Sequence, residues 1–194
     1  MLLKDKLKNT KLILASASPR RQNLLRDMGL DFEVQIRDTI ESYPDDLRAE
    51  QIPLYICRKK ADAFVSEELK NTILITADTI VWLDSEVLSK PVTSSDAEIT
   101  LGKLSGKKHE VITAVCIKSE NKLNTFYSST DVYFKDLSSD EIKYYIEFYK
   151  PFDKAGAYGI QEWIGYIGIY RIEGSYFNVM GLPTQRLYEE LLKF

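Results

Sequence analysis

The stretch KLILASASPRRQNLLRDMG, residues 11–29, passes from a short apolar strand into a helix through one small polar turn. Lys11 to Ala15 reads as a buried strand and Ser16 to Ser18 as the turn. The spacing predicts a helix over about residues 19–28. Ser18 is placed as its N-cap, and Pro19 stands at the first helical position, where a missing N–H costs nothing. Leu24, Leu25 and Met28 give this helix an apolar side, and Gly29 is its stop. A helix start is electropositive, so Arg20 and Arg21 in the first turn cost from a few tenths to about 1 kcal/mol unless an anion sits there. A turn of this kind is an anion site when backbone N–H groups and the Ser16 and Ser18 hydroxyls converge on it. Two arginines then fork onto phosphate oxygens. The alternative is a capped surface helix with two solvated arginines.

The same alternation continues outward from this unit. Phe32 to Ile36 predicts a second strand. A polar, irregular stretch follows, with Pro53 near the start of a helix that runs through Lys59, Lys60, Ala61 and Ala63. TILITADTIVWL, residues 72–83, is rich in β-branched residues and predicts an interior strand. Ser94 to Leu104 predicts a helix. HEVITAVCIK (109–118) and NTFYSSTDVYF (124–134) predict two strands joined in hairpin fashion. DLSSDEIKYYIEFYK predicts a helix capped by Ser138 or Ser139 and ended by Pro151. FDKAGAYGIQEW is a glycine-punctuated connection, IGYIGIYRIEGSYFNVMGLP is strand-like with glycine interruptions, and TQRLYEELLKF closes the chain as an amphipathic helix. The expected class is α/β, a mixed sheet with flanking helices, in a single domain over residues 1–194 without internal repeat or linker.

Composition narrows the function. Apolar residues at 44% and charged residues at 28% are those of an ordinary soluble globular chain. A net charge of −3 gives no general attraction to a polyanion, and no basic patch stands out, so neither nucleic acid nor an anionic membrane is an expected partner. No apolar run approaches bilayer length, and a cytoplasmic location is the expectation. Cys57 and Cys116 lie far apart and outside any CxxC pair, which disfavours redox and zinc chemistry. His109 is the only histidine, so acid-base work falls to carboxylates or lysines. His109 itself reads as a hydrogen-bonded structural residue.

Two phosphate signatures fail on spacing. In LGKLSGKKH the glycines are too close and no Ser or Thr follows the lysine, so this is not a P-loop; GAYG at 156–159 lacks the third glycine of a dinucleotide fingerprint. Asp78 is more telling. An ionisable group inside an apolar strand costs several kcal/mol when unpaired, as order of magnitude, and that points to a general base or a metal ligand. The competing reading is a strand-end Asp that accepts backbone hydrogen bonds. Lys60, Lys90 and the pair Asp153–Lys154 together supply the cations that a triphosphate needs and carboxylates for a divalent metal.

The ordered segments SASPRR (16–21), FEV (32–34), KKA (59–61), ADT (77–79), KP (90–91), SGKKHEVIT (105–113), DKAGAYGIQ (153–161) and GSYFNVMGLP (174–183) run over nearly the whole chain. They resemble the motifs of the Maf-like nucleoside triphosphate pyrophosphatases, once described as septum-formation inhibitors. The resemblance implies a two-lobed α/β fold similar to inosine triphosphate pyrophosphatases, with a cleft between the lobes. It implies cleavage of nucleoside triphosphates between the α and β phosphates with a divalent metal cation, Mg, Mn or Co. Asp78 then corresponds to the proton acceptor. Ser16, Ser18, Arg21, Lys60, Lys90 and Lys154 correspond to the phosphate path, and Glu33 and Asp153 to supporting groups that help to hold metal. Arg20, Thr79 and Gln161 match the specificity positions of the dTTP/UTP type, which removes surplus or modified pyrimidine triphosphates; the 7-methyl-GTP type has tryptophan in the place of Arg20. A homodimer is also implied. One departure is Lys150, where the family usually has glutamate. The other readings are a regulator of septation that senses nucleotides without hydrolysing them and a 7-methyl-GTP pyrophosphatase.

Overall fold

A computed structural model describes residues 2–194. After a short helix α1 (Leu3–Lys6), the strand, turn and helix of the N-terminal stretch form as their spacing predicts: β1 (Lys11–Leu14) and α2 (Pro19–Asp27). Ser18 is extended, and its hydroxyl accepts a hydrogen bond from the Arg21 N–H. Leu24 and Leu25 are buried, and Gly29 takes φ +73° just beyond the helix, the left-handed conformation that costs glycine least.

The remaining elements are β2 (Glu33–Val34), α3 (Gln51–Asp62), β3 (Thr72–Leu83), β4 (Glu86–Val87), α4 (Ser94–Leu104), β5 (Lys108–Lys118), β6 (Leu123–Phe134), α5 (Ser139–Tyr149), α6 (Trp163–Gly168), β7 (Ile169–Glu173), α7 (Tyr176–Met180) and α8 (Thr184–Lys193). The seven strands form one sheet in the order β2-β1-β3-β5-β6-β7, with β4 beside β3. β1 pairs in parallel with β2 and β3, whereas β3–β4 and β6–β7 are antiparallel, so the sheet is mixed as expected. β3 is buried along almost its whole length, which is why its sequence is nearly continuously apolar rather than alternating.

The chain divides into two compact units, described separately below. One comprises the chain up to Asp78, Thr113–Ser128 and Gly181–Phe194; the other comprises Thr79–Ile112 and Ser129–Met180. In the first, Ile13, Leu74, Ala114 and Cys116 from the sheet pack with Cys57, Ala61 and Phe64. Both cysteines are free thiols in this packing, held in the protonated form by burial. In the second, Val81, Val111, Val132 and Phe134 pack with Leu101 and Leu104 of α4 and Tyr145 and Ile146 of α5. Capping boxes start both of these helices, Thr93 with Asp96 and Ser138 with Glu141, which decides the cap of α5 in favour of Ser138.

Three local expectations change. The strand over 32–36 shortens to Glu33–Val34, both exposed at the sheet edge, because an alternating run without a buried face pairs only where β1 reaches it. The strand-like stretch 164–183 breaks into α6, β7 and α7. Only Ile169–Glu173 pairs with β6, and Gly174 at φ +131° ends that pairing. A Cβ on Gly165 would lie on the Ile160 carbonyl, so this position accepts no side chain in the tight approach it makes. β4 was not foreseen. Asp84 and Ser85 both take positive φ and close a two-residue hairpin that places Val87 opposite Trp82, without the Asn-Gly or Asp-Gly signature that normally marks such a turn.

Candidate active site

In the first unit, the buried end of β3 meets α3. The Thr76 hydroxyl donates to the Cys57 carbonyl at 2.6 Å, fastening the strand to the helix. Asp78 lies two residues after Thr76, on the same face of the strand, and Lys60 lies three residues after Cys57, on the same face of the helix. The fastening therefore brings Lys60 Nζ to 2.8 Å from Asp78 Oδ1. Lys60 also reaches Glu41 Oε1 at 2.7 Å, so one ammonium serves two carboxylates. Asp78 is only 8% exposed, and burial raises its pKa above the ordinary carboxylate value although Lys60 and Arg21 both pull it down. A carboxylate with raised basicity beside a cation is suited to accept a proton from water.

The N-terminal turn belongs to the same unit. Ser16 is buried, and its hydroxyl accepts from the Ser18 N–H and from Arg21 Nη1, each at 3.3 Å. Arg21 Nη1 also donates to the Ala77 carbonyl at 3.0 Å, and Nε donates to the Gly181 carbonyl at 2.8 Å. Arg21 thus ties the turn to the residue before Asp78 and to the segment that precedes α8. Burial and the neighbouring Arg20 lower its pKa, and Asp78 opposes that shift. Ser16, Arg21, Lys60 and Asp78 are brought together through these contacts. Glu33 is not among them: it is exposed at the sheet edge, ion-paired with Lys11 at 2.8 Å and bonded by Gln35.

In the second unit, Lys154 is nearly buried. Its Nζ lies 2.7 Å from Asp153 Oδ1 and 3.0 Å from Glu162 Oε1. The Tyr145 hydroxyl donates to Glu162 Oε2 and accepts from the Gly159 N–H at 3.0 Å. Gln161 lies within this turn, and its Oε1 is buried without a hydrogen-bond partner. An acceptor left over in this way suits a ligand N–H. Thr79 is half-buried at the start of this unit, and Lys90 is exposed after β4. His109 is buried against Phe134 and Tyr158, and its Nε2 shares a 2.8 Å hydrogen bond with the Tyr158 hydroxyl. Burial lowers its pKa to about 3, so it is neutral and structural, as the sequence suggests.

Among the described residues, no group of three or more His, Cys, Asp and Glu side chains is placed to hold a metal ion. A cage built wholly of protein ligands does not fit. Lys60 Nζ bridges Glu41 and Asp78, and Lys154 Nζ bridges Asp153 and Glu162, so a hard cation of the magnesium type, which takes one or two carboxylates and completes its shell with substrate phosphates and water, finds carboxylate oxygens at Asp78, Glu41 or Asp153 beside these ammonium groups. Glu41, Glu162 and Tyr145 carry these arrangements, yet sequence reasoning did not single them out. Glu41 lies in an irregular loop, Tyr145 reads as helix packing, and Glu162 falls just beyond the DKAGAYGIQ segment, so no periodicity or spacing marks any of them.

The Maf-like protein family profile matches residues 11–194. A dTTP/UTP pyrophosphatase of Phocaeicola vulgatus is 55% identical over 97% of this chain and 98% of its own length. One from Flavobacterium johnsoniae is 50% identical over 98% of each chain. Among solved structures, the Staphylococcus aureus Ham1 protein aligns over 66% of this chain and 73% of its own, at 14% identity and a TM-score of 0.47.

Proposed function

The chain belongs to the Maf-like protein family, and from that premise we propose that it hydrolyses dTTP and UTP to the monophosphate and pyrophosphate. The observation that carries the chemistry is Asp78, a buried carboxylate of raised pKa held by Lys60 in a strand that is otherwise uncharged. Cleavage of a phosphoanhydride asks little covalent work of a protein; it asks for a placed water, a proton acceptor and neutralisation of phosphate charge. Asp78 takes the proton from water. Lys60 holds the carboxylate in place and stabilises its charged form until water is bound. The Ser16–Ser18 turn with Arg21, and the lysines Lys60, Lys90 and Lys154, bind phosphate oxygens. Arg20, Thr79 and Gln161 read the base, with the buried Gln161 Oε1 suited to the N3–H of thymine or uracil.

A divalent cation such as Mg²⁺, Mn²⁺ or Co²⁺, held by Asp78 with Glu41 or by Asp153 and completed by substrate phosphates and water, would neutralise phosphate charge and polarise the scissile bond. Cytoplasmic action on surplus or modified pyrimidine triphosphates, by a homodimer, completes the proposal. Among the described residues no helix is long and apolar enough to cross a membrane.

Pyrophosphate release is to be measured across dTTP, UTP, dCTP, dGTP, ATP and 7-methyl-GTP, with each metal in turn. Preferential turnover of dTTP and UTP supports the proposal. Turnover of 7-methyl-GTP alone, or nucleotide binding without product, overturns it.

A further inference from the structure

Lys154 and Gln161 stand seven positions apart, yet a part-buried hydrogen-bond chain runs from Lys154 to the turn that carries Gln161. Lys154 Nζ meets Glu162 Oε1 at 3.0 Å, and the other Glu162 oxygen accepts the Tyr145 hydroxyl hydrogen. The Tyr145 oxygen in turn accepts the Gly159 N–H at 3.0 Å. Tyr145 is fully buried in α5, and burial together with Glu162 raises its pKa far above the usual phenol value, so it stays a donor. Gly159 is where the two functions touch. A Cβ there would lie 2.9 Å from Glu162 Cδ and 3.1 Å from Gln161 Nε2, so the glycine is the floor against which both side chains rest. The Glu162 N–H closes the turn onto the Gly159 carbonyl at 3.0 Å.

We infer that Tyr145 and Glu162 are positioning residues that make Lys154 and the 159–162 turn one rigid unit, coupling the phosphate grip to the orientation of the Gln161 amide. The inference rests on the reading that Lys154 binds phosphate and Gln161 contacts the base. Glu162 has two tasks. Its charge pairs with the Lys154 ammonium and aims it in a nearly buried position, where an ammonium without a counter-charge is costly. Its second oxygen is held by Tyr145, so the carboxylate cannot rotate away with the lysine. Tyr145 serves both partners at once, because the oxygen whose proton goes to Glu162 also anchors the backbone two residues before Gln161.

The two substitutions Tyr145→Phe and Glu162→Gln separate these tasks. Phenylalanine keeps the ring, which stacks on Tyr149 at 5.2 Å, and removes only the hydroxyl. The Gly159 N–H and Glu162 then each lose a buried partner. Glutamine keeps an acceptor for Tyr145 but removes the charge that faces Lys154. Equilibrium binding of non-hydrolysable α,β-imido analogues of dTTP and dGTP is measured for the parent and both variants, with steady-state kinetics and thermal melting in parallel. Glu162→Gln is expected to weaken both analogues by a similar factor of about ten, the scale of one charge-assisted contact. Tyr145→Phe is expected to weaken the dTTP analogue and to lower the dTTP-to-dGTP preference by about fivefold or more, as loss of a buried hydrogen bond allows. Both effects should appear mainly in KM rather than kcat, since neither residue touches the reacting atoms.

A preference unchanged within twofold in Tyr145→Phe overturns the coupling, whatever happens to melting temperature. Because the measurement is of binding, a parent that binds but does not turn over refutes the hydrolase reading and leaves this inference tested. A parent that binds neither analogue overturns both.

Discussion

The single histidine offers a quantitative test of the packing in the second unit. His109 sits between the Phe134 and Tyr158 rings, with Nε2 bonded to Tyr158 and Nδ1 buried without a partner. An imidazolium needs two acceptors and finds one at most, so burial lowers the pKa from 6.5 to about 3. Between those values the unfolded chain binds a proton that the folded chain refuses, so stability falls as pH drops through 6.5. Linkage gives a loss of about 0.7 kcal/mol between pH 7 and 6, and about 2 kcal/mol between pH 7 and 5. Carboxylates titrate in the lower part of that range as well, so the comparison is made against His109→Gln, which keeps a polar group for Tyr158 and removes the titration. Urea unfolding at pH 7, 6 and 5 should show the parent losing about 2 kcal/mol more than the variant, whatever their absolute stabilities. The proton resonance of the one imidazole should also stay flat down to about pH 4 in the folded state. Parallel pH profiles for parent and variant, or an imidazole titrating near 6.5, would refute the buried neutral ring.

Asp78→Asn removes the proton acceptor while keeping its shape; turnover should fall by about 10²–10⁴ with nucleotide binding largely kept, measured by pyrophosphate release beside a binding titration. The same variant should melt no lower than the parent at neutral pH: a carboxyl with raised folded pKa is best tolerated protonated, and its contribution is lost as pH rises through that raised value. Lys60→Met removes the cation shared by Asp78 and Glu41, so the Asp78 pKa should rise further and the acidic limb of kcat/KM should move to higher pH. An unmoved limb would take Lys60 out of the control of that carboxylate.

The division of labour between local and tertiary information is visible residue by residue. The helix start at Ser18 and Pro19 and the stop at Gly29 were legible because caps and left-handed turns act within a few residues. The twelve-residue β3 was legible because a strand covered on both faces must be apolar throughout, and Asp78 stood out against that background. Residues 163–180 were not legible in the same way. Their glycines and aromatic residues suit a strand or a short helix, and only pairing with β6 selected Ile169–Glu173 as the strand.

The sequence by itself determined the α/β alternation, the polar turn before α2 and the presence of a carboxylate in the wrong surroundings for an ordinary strand. It did not determine which cation that carboxylate would meet. Lys59 and Lys60 are adjacent in the chain, but Lys60 faces Asp78 and Glu41, whereas Lys59 donates to Ser42. Arg21 finds its acceptors at Ala77 and, 160 residues away, at Gly181. Glu162 acquires its place through Tyr145 on a different helix. Propensity and periodicity act over a turn or two of backbone and therefore fix elements. An ionic partner is chosen by which groups the folded chain removes from water together, and that choice exists only once the elements have packed.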